Sequence, residues 1–213
     1  MLSTPTLLAF SGAALLLLIV PGPAVMYIVT RSATQGRTAG LVSVLGIHVG
    51  TMVHVVAAVV GLSAVLAASA TAFTAVKLAG ALYLVWLGVQ ALRSATDADG
   101  PTTQRVAHAS LRRVFVDGIV LNILNPKTAL FFLSFVPQFI DAGGSATTGQ
   151  LLVLSAIFIG LGLLTDGAYA LAGGWVGTRL RRSARVRRRA SVGAGITYLG
   201  LGAITATSGG SSG

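Results

Sequence analysis

The chain has 213 residues, of which 54% are apolar and 9% are charged, and its mean hydropathy is +0.84. A soluble globular domain carries about 25% charged residues and a disordered chain has low hydrophobicity, so both classes are excluded. A disulfide scaffold is excluded too, because the sequence contains no cysteine. The composition predicts an all-α, polytopic membrane protein.

Six apolar segments are long enough to cross a bilayer core of about 30 Å as α-helices. We predict them at residues 6–30, 40–69, 73–92, 114–136, 150–176 and 190–207. The second and fifth segments are long, which favours a tilt or an extension beyond the hydrocarbon.

All 13 arginines lie in the links after the first, third and fifth segments, and the other links hold none. The positive-inside rule therefore places these three links in the cytoplasm and both termini outside. The net charge of +10 is explained by this distribution. No nucleic-acid partner is expected, because a DNA-binding domain spreads its basic residues over a soluble face. The expected partner is the lipid bilayer.

Segments one and four both contain a proline in their interior. Phe10 precedes Pro21 by eleven residues, and Phe115 precedes Pro126 by the same interval. Three segments separate the two starts, so the halves enter the membrane from opposite sides, which is typical of an inverted 3+3 repeat with helices one and four broken. The predicted units are a first three-helix repeat (1–93), a cytoplasmic linker (94–113), a second repeat (114–207) and a flexible tail (208–213).

Each proline break frees backbone polar groups inside the membrane. Proline removes a helix hydrogen bond, and in hydrocarbon the freed groups need a partner from protein, water or ligand. Half-helices that begin near Pro23 and Pro126 would present N–H groups and positive dipole ends, which suit a carboxylate. Packing kinks are the alternative interpretation. The predicted substrate-binding residues are Pro21, Gly22, Pro23, Ala24, Asn125, Pro126 and Lys127.

Two residues of opposite charge, Lys127 and Asp166, are predicted deep inside the spans. A charge in hydrocarbon costs about 2.5–3.5 kcal/mol, which favours a function, although a purely structural ion pair is also open. We predict that Asp166 couples transport to protons, with His54 as the second candidate unless it only packs. His48 lies six residues before His54 and about 240° around the helix, so a metal site is not expected. No cofactor is predicted.

A series of short motifs follows the chain in a recognisable order. The first half contains Pro21-Gly22-Pro23, Gly36-Arg37-Thr38-Ala39-Gly40-Leu41, Gly46-Ile47-His48-Val49-Gly50 and Lys77-Leu78-Ala79-Gly80-Ala81-Leu82-Tyr83-Leu84. The second half contains Phe115 with Gly118, Asn125-Pro126-Lys127, Phe131-Phe132 and Pro137-Gln138-Phe139. Over about residues 5–205 the sequence resembles the LysE/RhtB family of bacterial amino-acid exporters. The resemblance implies export of an amino acid across the cytoplasmic membrane, driven by proton entry.

The residues themselves leave three functions open. They are a secondary exporter of amino acids, a passive channel for small zwitterions, and a non-transporting assembly or signalling protein. Enzyme signatures such as His-Glu-x-x-His are absent from the sequence. Because Asp166 is the single acid predicted deep in a span, we expect neutral substrates of the threonine, homoserine or leucine kind rather than dibasic ones. A homo-oligomer is left open.

Overall fold

The computed structural model describes residues 2–68, 108–140 and 147–182, together with scattered positions between 78 and 93 and between 185 and 203. Predicted segments three and six, the motif that begins at Lys77, most of the 94–113 linker and the 208–213 tail lie largely outside the described residues. The regular structure in the ranges that are described is helical throughout. The all-α prediction is confirmed for them.

The first apolar segment forms two helices with a break between them. Helix α1 spans Thr4–Ile19 and helix α2 spans Pro23–Gln35, and the two axes differ by 52°. Pro23 lies in the first turn of α2, where a helix has no internal acceptor for its N–H groups and proline is tolerated. The predicted interruption at Pro21–Pro23 is confirmed.

Helix α3 spans Arg37–Ala68 and follows α2 after one residue, Gly36. Gly36 has φ of +89°, a conformation that favours glycine, and its N–H donates to Ser32 O at 3.0 Å. The sequence placed Arg31 and Arg37 in a link between the first and second segments, whereas the structure includes both of them in helices. Arg31 lies on α2 and is buried, and Arg37 begins α3.

The fourth apolar segment is broken in the same way. Helix α4 spans Leu111–Ile123 and helix α5 spans Pro126–Leu130. The chain continues from α5 as a π-helical turn at Phe131–Phe135 and a 3₁₀ turn at Val136–Phe139. The axis bends by 46° between α4 and the part that begins at Pro126, so the second predicted break is also confirmed.

Helix α6 spans Thr147–Arg182, which is longer than the predicted 150–176 segment, so the link with the arginine cluster begins as helix. Within the described ranges, Arg37–Gly61 and Thr147–Trp175 are each long and apolar enough to cross a membrane. The number rises to four if each bent pair is one span. The structure is thus that of a helical membrane protein, and six spans in an inverted repeat remain a prediction.

Helices α3 and α4 are in close backbone contact at glycines. A Cβ at Gly46 would overlap Phe115 O, and one at Gly50 would lie 2.8 Å from Ile119 O. Gly118 of α4 lies against Ser43 O in the same way. The glycines of α3 and α4 at this contact therefore form a packing surface, as is usual between membrane helices.

Helix α2 is fastened to its neighbours at the end nearest α3. The Ser32 hydroxyl donates to Ala170 O of α6. The same side chain fills the space left by Gly40 of α3 and Gly173 of α6, where any Cβ would collide with it. The three helices are thus held together at the level of Ser32.

Candidate transport site

The two helix breaks open onto one cavity between the helices. Its volume is about 30 Å³, which is room for a water molecule and not for an amino acid. The apolar walls of the cavity are formed by Leu17, Leu18, Val25, Ile47 and Phe158. The polar side chains that line it are His48, Thr51, Asn122, Asn125, Lys127, Thr128 and Asp166.

Five of the predicted site residues meet at this cavity. Gly22 and Ala24 come from the first break, Asn125 and Lys127 from the second, and Asp166 from α6. The three prolines predicted with them are not part of the lining. Pro23 and Pro126 are exposed and Pro21 is half-buried, so these residues shape the breaks and leave the contacts to their neighbours.

Lys127 is buried, and its ammonium satisfies the end of the first half-helix. Lys127 Nζ donates to Val20 O at 2.8 Å. Tyr169 OH donates to the preceding carbonyl, Ile19 O, at 2.6 Å. The last carbonyls of a helix have no internal partner, and hydrocarbon offers none, so two side chains from the second half complete the end of α1.

Asp166 contacts a histidine that the sequence analysis had set aside. Its Oδ2 lies 3.2 Å from His48 Nε2, and both side chains are 6% exposed. Lys127 lies close enough to Asp166 for an electrostatic interaction. The sequence contains a signal for this contact. Gly162 lies one helical turn before Asp166, and its missing side chain leaves space beside the carboxylate for a ring.

His54, the second predicted proton-coupling residue, lies elsewhere. It is half-buried, and its Nε2 donates to Asn122 O at 2.8 Å. It is not among the residues that line the cavity. This contact agrees with the packing alternative, and a role for His54 in proton transfer stays a prediction.

Asn122 joins the second break to α3 and was not singled out from the sequence. Its Nδ2 donates to Ile47 O and to Thr51 Oγ1, both at 2.9 Å. Its Oδ1 accepts from Asn125 Nδ2 at 3.2 Å and from Thr128 Oγ1 at 3.1 Å. The amide uses both its donors and both its acceptor positions, and it holds the α4–α5 connection in one conformation.

The two breaks differ in how their N–H groups are used. At the second break, Asn125 Oδ1 accepts from Lys127 N–H at 3.1 Å, so this predicted binding group already has a partner within the chain. At the first break, Gly22 has no side chain to cap α2. The N-terminus of α2 is therefore the better candidate for an incoming carboxylate.

A second polar cluster joins the end of α2 to the start of α4. Asp117 Oδ2 lies 3.9 Å from Arg113 Nε, an i, i+4 pair on α4, and 3.5 Å from Arg31 Nη2. Arg31 also donates to Gln35 Oε1 at 2.7 Å and lies over the Tyr27 ring. The cluster is separate from the cavity.

Residues 15–209 match the family described as LysE type translocator. The chain belongs to the LysE family. A homoserine/homoserine lactone efflux protein of Salmonella typhimurium is 33% identical over 155 residues, which cover 73% of this chain and 74% of that protein. A leucine efflux protein of Klebsiella pneumoniae is 24% identical over 203 residues, or 94% of each chain.

A further similar protein is the membrane protein YrhP of Bacillus subtilis, which is 35% identical over 166 residues, covering 75% of this chain and 79% of the relative. No solved structure is significantly similar to this LysE-family chain. The family confirms the resemblance carried by the motifs. It makes the protein a membrane translocator related to amino-acid efflux proteins, and not an enzyme.

Proposed function

We propose that this LysE-family protein exports a small neutral amino acid across the bacterial cytoplasmic membrane in exchange for protons. The observation that carries the proposal is the burial of Asp166 and Lys127 in one cavity at the meeting point of two broken helices. Ionisable side chains inside membrane spans are costly, and they mark ion and substrate pathways. Relatives named for homoserine and leucine efflux support the same substrate class.

The substrate carboxylate binds between Gly22–Ala24 at the start of α2 and Asn125–Lys127 at the second break. The N-terminus of α2 supplies N–H groups and Lys127 supplies the cation. Asp166 takes the substrate ammonium group. The described lining residues include no carboxylate besides that of Asp166. A dibasic substrate would need a second carboxylate, so the lining favours a substrate with a neutral side chain.

The whole molecule has six spans in an inverted 3+3 repeat, with residues 1–93 and 114–207 as its halves. The 94–113 link lies in the cytoplasm, both termini lie outside, and 208–213 is a flexible tail. The bends of 52° and 46° support this arrangement, because each half contributes one broken span. The distribution of the arginines supports the orientation.

Transport requires that Asp166 exchanges the substrate ammonium for a proton. The carrier loads substrate from the cytoplasm with Asp166 ionised, and it releases substrate outside when a proton takes its place. Since the cavity measures about 30 Å³, the helices must separate to admit a substrate, and the two breaks provide the hinges.

Counterflow in proteoliposomes, with and without an imposed pH gradient, tests the proposal with L-homoserine, L-threonine and L-leucine as probes. Asp166→Asn keeps the shape and removes the negative charge for which the substrate ammonium and the proton are exchanged, so it should abolish gradient-driven export and leave some binding. Lys127→Ala should weaken binding about 10- to 100-fold, because it removes a charge-assisted contact. Asp117→Asn is the matched control outside the cavity and should retain the gradient dependence.

Two outcomes favour the alternative functions. Downhill flux that ignores the pH gradient in the wild type indicates a passive channel. No exchange of any probe indicates a protein with an assembly or signalling role. Full gradient-dependent efflux in Asp166→Asn contradicts the coupling role of Asp166, and His54 is then the next residue to test.

A further inference from the structure

Helix α6 is shaped to receive the ring of His48 beside Asp166. Gly162 lies one turn before Asp166 on the same face, and a Cβ there would lie 2.5 Å from His48 Cε1 and 3.2 Å from Nε2. The ring therefore occupies space that α6 leaves open, and its Nε2 reaches the carboxylate at 3.2 Å. Both ring nitrogens of His48 are buried and neither makes a hydrogen bond in the described part of the chain, so the contact of Nε2 with Asp166 is a close approach of the two side chains.

We propose that His48 is the proton-binding partner of Asp166, and that its imidazolium and the ammonium group of the substrate compete for the same carboxylate. This inference rests on the proposed function and names the residue that holds the proton. Antiport requires that proton and substrate exclude one another. Competition for one carboxylate produces that exclusion without any long-range coupling.

The charge balance of the cavity supports the competition. Lys127 on α5 is the other charged side chain of the described lining, and Tyr169 on α6 is a further titratable neighbour of Asp166. Helices α1, α2 and α4 contribute no ionisable side chain to the described lining. With His48 neutral, Lys127 and Asp166 cancel and match a zwitterion. With His48 protonated, Asp166 is occupied and the substrate ammonium has no partner.

The exchange balances in atoms and charge. One proton from outside binds an imidazole nitrogen of His48 and displaces the substrate ammonium from Asp166. The same proton leaves to the cytoplasm when the next substrate binds. No bond in the substrate is made or broken.

Proton release on substrate binding tests the inference directly. Purified protein in weakly buffered detergent solution receives L-homoserine or L-leucine while a pH dye is followed. The wild type should release up to about one proton per substrate, and its affinity should increase about tenfold for each unit by which the pH is raised, up to the pH at which proton release ends. His48→Gln replaces the imidazole with an amide, which stays near Asp166 but does not bind a proton. It should release no proton and bind with nearly constant affinity between about pH 6 and pH 8.

His108→Gln is the matched control, because it makes the same substitution at an exposed histidine before α4. It should behave as the wild type. Proton release that persists in His48→Gln, or that disappears in His54→Gln instead, overturns the inference and leaves the proposed export standing. A wild type that neither binds nor exchanges any probe counts against the proposed function itself.

A measurement on the unaltered protein covers the case in which His48→Gln does not fold. The chain has three histidines, so ¹⁵N-histidine labelling gives few imidazole signals. At a pH where the substrate-free protein shows charged imidazoles, adding L-homoserine should convert one of them to the neutral form. Three unchanged imidazole signals at saturating substrate contradict the inference.

Discussion

Asn122 is the residue on which the conformation of the second break depends most. It is 1% exposed, and four hydrogen bonds connect its amide to α3 and to the residues around the break. Buried polar groups without partners are costly in hydrocarbon. Asn122 therefore fixes the geometry of Asn125 and Lys127 without itself carrying charge.

Asn122→Ala should lower the free energy of unfolding by about 2–4 kcal/mol, because it removes four bonds and leaves buried partners unsatisfied. Thermal unfolding in detergent measures the effect. Val120→Ala, at an exposed position on the same helix, is the control and should change stability little. Equal losses in both variants would show that the amide network is not a main source of stability.

The α3–α4 contact is the closest helix pairing in which glycines from both sides take part. Gly46 and Gly50 face α4, and Gly118 faces α3. The close approach brings His48, between the two α3 glycines, into register with α6 on the other side. Helix packing thus sets the position of a site residue that no local signal determines.

Gly46→Ala should destabilise the protein by about 1–3 kcal/mol, since the new methyl group meets the backbone of Phe115 and the helices must separate. Gly61→Ala on the same helix has no atom within 4 Å of the new Cβ and should be neutral or slightly stabilising. Their midpoints of thermal unfolding in detergent give the comparison. A Gly46→Ala protein as stable as Gly61→Ala would contradict the packing.

The helix breaks could be predicted because proline acts through its own covalent structure. A helix is interrupted at Pro21, Pro23 and Pro126 whatever it packs against. Both breaks could therefore be located to within a residue or two. The end of α2 was missed because Gly36 lets the chain turn in one residue, and composition alone does not reveal a φ of +89°. Arg31 was consequently assigned to a loop.

The site was predicted in part for a related reason. Lys127 and Asp166 stand out as charges within apolar segments, and hydropathy is sufficient to find them. Whether His48 or His54 lies beside Asp166 depends on which face of α3 packs against α6. A single sequence does not determine the rotation of α3 about its own axis. Asn122 carries no charge, so its four bonds became visible only in the fold.

Among the described residues, an aromatic cluster and a charged cluster lie on different sides of the two helix breaks. Phe10, Phe131 and Phe158 belong to one buried cluster, in which the Phe131 and Phe158 rings stack at 4.7 Å. Arg31 and Asp117 lie beyond the breaks on the other side. In the proposed orientation the aromatic cluster faces outside and the charged cluster faces the cytoplasm, in keeping with the positive-inside rule.

Cysteine labelling tests that orientation, and the native chain has no cysteine to interfere. His108→Cys and Thr148→Cys place single thiols at exposed positions before α4 and at the start of α6. An impermeant maleimide should label Thr148→Cys in intact cells and His108→Cys in inverted vesicles. The reverse pattern would overturn the orientation and leave the broken helices unaffected.

The one-residue junction at Gly36 restricts how the carrier can move. Helix α2 cannot turn independently of α3 at that end, because Gly36 offers a single hinge residue and Ser32 is fastened to α6. The opposite end of α2, at Gly22, begins at the break and has no side-chain cap. We expect the cavity to open when α2 pivots about its Gly36 end and the break at Gly22 flexes, with the largest displacement at the N–H groups of the proposed substrate site. The helix terminus proposed to bind the carboxylate is then also the part of α2 that moves most.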